Sequence, residues 1–155
     1  MATALVARIE PVQEPDGYLN SHVQARFPGE RFVQLPWGHE LYCAGHLIQA
    51  AVAWHRALGD DRLLEVAVRA ADRIDKEFGP TGRDGVDGHP GIEMALVELT
   101  RVTGDGRYLA LAARMLDLRG RGLLGQGRFG AAYWQDHEPV REAATVAGHA
   151  VRQLY

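Results

Sequence analysis

His39 and His46 stand seven residues apart at the start of an otherwise apolar segment. Seven residues is close to two turns of an α-helix, so in a helix both imidazoles would point the same way. At about 100° per residue the two histidines fall roughly opposite the stripe of residues that we take to pack against the rest of the protein. That stripe consists of Ala44, Ile48, Ala51, Val52 and His55. The pattern predicts a helix that packs on one side and lines a cavity on the other.

Two further histidines accompany helical patterns. His149 lies roughly opposite the apolar stripe of a C-terminal segment, and His89 stands in an Asp-Gly-His-Pro sequence just before another helical pattern. Imidazoles donate and accept hydrogen bonds and titrate near neutral pH, so they suit polar ligands and proton transfer. We predict that His39, His89 and His149 converge on one pocket. The alternative is that all three are solvated surface side chains.

Other residues allow further chemistry. Three histidines can hold zinc, although no HxH or HExxH spacing supports that use. Cys43, the only cysteine, could be a nucleophile beside a histidine, but a buried structural thiol is the interpretation we favour. Glu40, Glu93 and Glu142 are candidate acids, and a glycosidase places two such groups on either side of the bond it cleaves. Sequence spacing alone does not fix the distances between them.

Two aromatic residues, Tyr133 and Trp134, come shortly before His137. Aromatic rings beside hydrogen-bonding groups suit a sugar ring at the mouth of a pocket. Packing of Trp134 in the core is the alternative.

The composition limits the class of protein. The chain has 155 residues, 46% of them hydrophobic and 24% charged, which is typical of one soluble globular domain. A formal charge of −3 leaves no basic face for nucleic acid. No apolar run approaches the length of a membrane span, and residues 1–9 lack the pattern of a signal peptide. With a single cysteine, a reducing compartment fits, so we expect a cytoplasmic protein.

Proline and glycine divide the chain into helical and irregular stretches. Residues 10–36 carry six of these breakers and form an irregular lead-in segment. The following apolar patterns have helical spacing. They predict helices over residues 38–58, 61–78, 91–102 and 106–118, and a fifth from about Pro139.

The helices form an internal repeat with a shift of 45 residues. The hairpin over residues 38–78 matches the hairpin over 91–118, and residues 139–155 open a third copy. Both copies keep a Gly-Asp-x-Arg turn, in which glycine closes the first helix and aspartate caps the second. Repeated hairpins stack into solenoids or toroids. Irregular loops favour an all-α toroid whose first helices line the centre.

The last apolar pattern reaches Leu154 and Tyr155 without a capping residue. Two and a half hairpins would leave apolar flanks exposed, because each repeat needs neighbours. We therefore expect part of a larger toroid, or a reduced member that self-associates.

A series of motifs in a fixed order carries a family resemblance. The motifs are Asp16-Gly-Tyr-Leu-Asn20, His39-Glu-Leu-Tyr-Cys-Ala-Gly-His-Leu-Ile48, Gly88-His-Pro, Ile92-Glu-Met-Ala-Leu96, Val102-Thr-Gly-Asp105, Arg107-Tyr-Leu109, Pro139-Val-Arg-Glu142 and Gly148-His-Ala-Val-Arg152. Together they resemble glycoside hydrolase family 127, the β-L-arabinofuranosidase family, from about residue 10 onward.

The resemblance implies an (α/α)6 barrel of the six-hairpin glycosidase type that removes terminal β-L-arabinofuranosyl residues with retention. It also implies a zinc-bound cysteine thiolate as nucleophile and a glutamate as acid and base. Zinc would hold the thiol as thiolate. Histidines matching His39, His89 and His149 would line the sugar site.

The family's cysteine cluster and catalytic glutamate have no counterpart in these residues, and Cys43 belongs to the helical motif instead. We therefore expect residues 1–155 to be a single partial catalytic domain with a partial (α/α)6 barrel. It would be inactive alone, without catalytic residues, metal or another cofactor of its own. The expected partners are an arabinofuranoside-type sugar and either the missing half of the barrel or a second copy.

Two other functions remain open from sequence. The chain could be a non-catalytic carbohydrate-binding or scaffold module that keeps the histidine-lined cleft. It could also belong to another α/α-toroid sugar enzyme, such as an epimerase that uses histidines as acid and base.

Overall fold

A computed structural model describes residues 2–145 and 147–153 of the chain. All regular structure in these ranges is helical, which confirms the all-α prediction. The helices are α1 (Ala2–Ile9), α2 (Ser21–Arg26), α3 (Leu35–Gly38), α4 (Glu40–Leu58), α5 (Arg62–Phe78), α6 (Ile92–Thr103), α7 (Gly106–Leu118) and α8 (Ala150–Gln153), with 3-10 turns at Glu10–Val12 and Ala131–Trp134.

The four long helices form two hairpins that lie side by side. Helix α4 packs on α5 within the first hairpin and on α6 of the second, while α6 packs on α7 and the outer helices α5 and α7 touch. The first helices of the hairpins therefore share one layer and the second helices share the other. This is the arrangement expected for part of an α/α toroid.

The repeated turn forms in both hairpins. Gly59 and Gly104 end α4 and α6 in the left-handed conformation, with φ of 65° and 76°. Asp60 accepts a hydrogen bond from the Arg62 N–H at 3.1 Å, and Asp105 accepts the same bond from Arg107 at 2.9 Å. The guanidinium group of each arginine also donates a hydrogen bond to the same aspartate. The two turns thus repeat the same aspartate–arginine hydrogen bonds. Asp105 is the N-cap of α7 as predicted, whereas the N-cap of α5 is Asp61, whose side chain makes no capping bond.

The two inner helices approach closely at Gly45. A Cβ placed on Gly45 would lie 2.9 Å from the Ile92 Cα and 3.1 Å from its N. Glycine in a helix interior costs about 1 kcal/mol relative to alanine. The close contact of α4 with α6 explains why the helix carries it.

Helix boundaries differ from the prediction where the backbone turns. Helix α4 begins at Glu40, because His39 adopts a left-handed conformation with φ of 53° and precedes the helix. Within the lead-in segment, α2 forms because Asn20 accepts a hydrogen bond from the Val23 N–H at 3.1 Å.

The prediction of a helix from Pro139 is wrong for most of the residues it covers. The described part of residues 139–149 forms turns and bends, and helix begins only at Ala150. Gly148 has φ of 115°, which no helix accommodates, and its backbone lies against the Ala132 carbonyl. The stripe residues Val140 and Val151 are exposed, so burial does not favour a helix there.

Leu154 and Tyr155, on which the expectation of an interrupted helix rests, lie outside the described residues. Among the helices that are described, none is both long and apolar enough to cross a membrane.

Substituting Gly45→Ala should lower the free energy of unfolding by about 1–3 kcal/mol, because the new methyl group meets the α6 backbone and overpacking outweighs the gain in helix propensity. Denaturant unfolding followed by circular dichroism measures this. Gly106→Ala is the matched control. A Cβ there meets no atom within 4 Å, and we expect it to be neutral or stabilising. Equal behaviour of the two variants would contradict the close packing of α4 on α6.

Candidate functional site

The site is organised by Asp87, whose side chain is fully buried beside the N-terminal end of α4. Its Oδ2 accepts hydrogen bonds from the backbone N–H groups of Leu41 at 3.0 Å and Tyr42 at 3.2 Å. These belong to the first-turn donors that a helix cannot satisfy itself. Its Oδ1 accepts from the His89 N–H at 2.8 Å and lies 3.5 Å from Nδ1 of His39. One carboxylate thus connects the start of α4 with both histidines.

Two buried arginines hold the loop that carries His89. Arg119, 2% exposed, donates to the Asp87 carbonyl at 2.8 Å. Arg152, 5% exposed, donates from Nε to the Gly88 carbonyl at 2.7 Å. Because guanidinium groups are rarely buried without partners, these bonds fix both the arginines and the loop. His89 therefore stands on a rigid support.

The structure brings His39 and His89 together, with ring centroids 5.9 Å apart. The Tyr42 ring contacts both, 4.2 Å from the His89 ring and 5.9 Å from the His39 ring. His46 joins the group through Tyr42, at 4.5 Å. Tyr42 was missed in the sequence. Its position four residues before His46 is the signal that could have identified it, because such residues share a helix face.

The contacts of His149 are with other residues. Its ring is 5.4 Å from the Tyr133 ring, and its N–H donates to the Tyr133 carbonyl at 3.4 Å. The guanidinium of Arg152 stacks on Tyr133 at 4.7 Å while it also donates to Gly88. These contacts tie the His149 segment to the His89 loop. A pocket common to all three histidines stays a prediction.

The protonation of His89 follows from its surroundings. Its Nδ1 lies 2.7 Å from the Pro90 carbonyl oxygen, which only accepts hydrogen bonds. Burial lowers the pKa of His89 below its ordinary value of 6.5, and the positive charge of Arg152 acts in the same direction. The ring is therefore neutral at neutral pH.

Aromatic residues extend from the histidines. Trp134 is fully buried, so it packs in the core. Trp37, half exposed, contacts the Trp134 ring at 4.4 Å and the Tyr133 ring at 6.2 Å. Phe129, also half exposed, lies 4.7 Å from Tyr133. An exposed aromatic surface thus adjoins the histidine group.

A separate cavity of about 370 Å³ lies between the start of α6, the end of α7 and residues 135–147. Arg119, Arg152 and Glu93 line its polar part, and His137 also borders it. Its apolar lining includes Met94 and Leu116. None of the three predicted site histidines is among the described residues that line it.

The candidate acids have structural partners. Glu40, which is buried, accepts hydrogen bonds from the Tyr18 hydroxyl and, at 2.8 Å, from the Phe32 N–H. Burial, together with Glu40, raises the pKa of Tyr18. Glu93, also buried, accepts from the Gly91 N–H at 2.8 Å. Glu142 is exposed. The two buried carboxylates therefore stabilise the fold around the site.

The prediction of a buried Cys43 is wrong. The thiol is exposed because position 43 lies on the same face of α4 as His46, away from the packed stripe. Partial burial of the sulfur, followed by the charges of Asp87 and Glu40, raises the pKa of Cys43. This environment disfavours the thiolate, which is the nucleophilic form.

The donor set in this part of the chain does not fit a zinc–thiolate centre. Cys43 is the only cysteine of the chain. Within residues 2–145 and 147–153, no three His, Cys, Asp or Glu side chains are grouped closely enough to hold a metal ion.

Comparison with known proteins gives consistent matches. Residues 1–155 match the family model of the β-L-arabinofuranosidase GH127 catalytic domain. The chain is 39% identical over 173 residues to the non-reducing end β-L-arabinofuranosidase of Bifidobacterium longum subsp. longum, with 97% of the chain and 26% of that protein covered.

Two solved structures are also similar. A GH127 β-L-arabinofuranosidase from Geobacillus stearothermophilus T6 has 42% identity and a TM-score of 0.93, with 99% of this chain and 27% of that chain covered. Another GH127 β-arabinofuranosidase has 37% identity and a TM-score of 0.87, over 99% and 25% of the two chains. The chain thus spans about a quarter of the length of these relatives.

The buried imidazole should make stability depend on pH. Because the pKa of His89 is lowered in the folded state, the unfolded chain binds more protons below pH 6.5, and stability should fall as the pH decreases through this value. Urea unfolding at pH 7.5 and pH 5.5 measures the effect, which should be smaller in His89→Gln. His22→Gln, at an exposed position, is the control for loss of an imidazole. An unchanged pH dependence in His89→Gln would refute the buried neutral state.

Proposed function

The chain belongs to the GH127 β-L-arabinofuranosidase catalytic-domain family, and we propose that it supplies part of that family's sugar site through His39, His89 and His149. One observation carries the proposal. His39 and His89 are 50 residues apart in sequence, yet their rings lie 5.9 Å apart beside one buried carboxylate. Two hairpins of the repeat thus contribute one polar group each to the same place.

The chemistry of this group suits a sugar. An imidazole nitrogen can exchange a hydrogen bond with a hydroxyl group, and so can a tyrosine hydroxyl, which matches the hydroxyl groups of a furanose. Trp37 and Phe129 add half-exposed aromatic faces near the same end of the helices. Aromatic surface beside convergent polar groups is a common composition for ligand sites.

The proposed ligand is a terminal β-L-arabinofuranosyl residue. The relatives are β-L-arabinofuranosidases, and the resemblance implies retention by a zinc-bound thiolate with a glutamate as acid and base. Neither Cys43 nor the engaged carboxylates of Glu40 and Glu93 fit those roles. In this proposal the chain therefore binds and orients the sugar, and the bond-breaking groups belong to another part of the catalytic domain.

The proposal includes a protein partner. The cavity between α6, α7 and residues 135–147 exposes Met94, Leu116 and Val140, and these apolar side chains suit a neighbouring hairpin. The rest of a barrel, or a second copy of the chain, would cover them. The exposed Cys43 thiol fits a reducing compartment, so we propose a cytoplasmic location.

A non-catalytic carbohydrate-binding module is the second candidate function. It is favoured by the structural engagement of both buried glutamates, whose carboxylates accept backbone hydrogen bonds. The two candidates share the sugar site and differ in whether catalytic groups join it.

The chain alone should not hydrolyse a chromogenic β-L-arabinofuranoside, even with added zinc, because the surroundings of Cys43 raise its pKa and so disfavour the thiolate nucleophile. Absorbance of the released chromophore measures turnover, and a buffer blank is the control. Turnover that survives Cys43→Ala would show that other residues of this chain perform the catalysis.

The chain should bind methyl β-L-arabinofuranoside through the histidine pair. His39→Ala and His89→Ala should each weaken binding about tenfold, which corresponds to the loss of about 1.4 kcal/mol of hydrogen bonding. Titration followed by ¹H–¹⁵N NMR shifts measures the affinity. His55→Ala, on the same helix as Tyr42 but near its other end, is the matched control and should bind normally. Equal affinities in all variants would exclude the histidine pair as the site.

A further inference from the structure

The contacts of His89 determine which ring nitrogen carries the proton. Its Nδ1 lies 2.7 Å from the Pro90 carbonyl oxygen. A carbonyl oxygen has no hydrogen to donate, so Nδ1 must be the donor of this bond. In the neutral ring, Nε2 is then the hydrogen-bond acceptor.

His39 has a longer contact with Asp87, at the outer limit of hydrogen-bonding distance. Its Nδ1 lies 3.5 Å from Oδ1 of Asp87. The same carboxylate already accepts from three backbone N–H groups, those of Leu41, Tyr42 and His89. A group that accepts from this many donors acts as an acceptor towards His39 as well, which places the His39 proton on Nδ1.

We propose that Asp87 is a positioning residue of the sugar site, which holds His39 in its Nδ1–H tautomer and fixes the loop of His89. His39 then presents its Nε2 as an acceptor to a sugar hydroxyl group. This inference rests on the proposed function for its ligand. It specifies that function further, because an acceptor nitrogen on His39 selects a neutral ligand with a hydroxyl donor.

Several hydrogen bonds fix the backbone around Asp87. Its side chain is fully buried, and its carbonyl oxygen accepts from the buried Arg119 at 2.8 Å. The next carbonyl, of Gly88, accepts from Arg152. The Gly88 N–H donates to the Leu35 carbonyl at 2.8 Å. With the backbone held on both sides, the carboxylate has little freedom to leave His39.

The first measurement uses the unaltered chain. Long-range ¹H–¹⁵N spectra of the imidazoles at pH 7.5 identify the protonated nitrogen, with signals assigned through His39→Gln and His89→Gln. We expect Nδ1–H in both rings. An Nε2–H form of His39 would overturn the inference and leave the proposed function standing.

The second measurement uses Asp87→Asn. The carboxamide can donate as well as accept, so His39 should change to the Nε2–H tautomer, as occurs when an aspartate that orients a histidine becomes asparagine. His89 should stay Nδ1–H, because the Pro90 carbonyl is unchanged. Affinity for methyl β-L-arabinofuranoside should fall about tenfold, the effect of a lost hydrogen bond.

Asp136→Asn is the matched control. Asp136 is buried and accepts from the backbone N–H groups of Gly120 at 3.2 Å, Gly122 at 3.1 Å and Leu124 at 2.7 Å. Its replacement should reduce stability as Asp87→Asn does, but leave the His39 tautomer and the sugar affinity unchanged. Circular dichroism melting compares the stability of the two variants.

The remaining outcomes distinguish the positioning role of Asp87 from the proposed sugar-binding function. If the unaltered chain binds no arabinofuranoside, the proposed function fails and the ligand part of this inference fails with it, whatever the tautomers are. If Asp87→Asn leaves the His39 tautomer unchanged, or Asp136→Asn changes affinity equally, Asp87 acts only through folding and the positioning role is overturned. If Asp87→Asn does not fold, the tautomers measured in the unaltered chain test the positioning role instead.

Discussion

The buried carboxylate of Asp87 is the interaction on which the rest of the site depends. Taking a carboxylate out of water is unfavourable unless donors surround it. Here the donors come from two distant segments: the start of α4 and the loop before α6. The need to satisfy one side chain therefore holds two hairpins in register at the end where their histidines lie. The arginines that donate to the adjacent carbonyls add to this constraint.

The hairpin architecture could be predicted because its signals are local. The apolar stripe of α5, made of Leu63, Ala67, Ala70, Ile74 and Phe78, follows from helical periodicity. The two Gly-Asp-x-Arg turns follow from capping, and both signals act within a few residues. The helix expected from Pro139 failed for a related reason. Its stripe has the right spacing, but periodicity stabilises a helix only where a partner buries it, and Val140 and Val151 are exposed. Gly148 then adopts a conformation that the spacing alone does not reveal.

The site was predictable only in part. Direction on a predicted helix identified His39 as a candidate, and a place just before another helical pattern identified His89. The structure places their rings close together. The contribution of Asp87 depends on contacts over more than 40 residues of sequence, which no local pattern records. The prediction that Cys43 is buried was wrong because it relied on a general tendency of cysteines. A free cysteine is buried in most proteins, but the face of α4 on which it lies is set by the packing of Ala44 and Ile48.

The approach of α4 to α6 at Gly45 has a consequence for selectivity. Gly45 faces the backbone of Gly91 and Ile92, and Gly91 follows His89 by only two residues. Because His39 directly precedes α4 and His89 lies in the loop before α6, this helix contact bears on the spacing of the two imidazoles. If the histidines bind a sugar as proposed, a relative with a different residue at this position would accept a ring of a different size with the same polar side chains. Selectivity for ligand size would then depend on a residue that belongs to the packing of the helices.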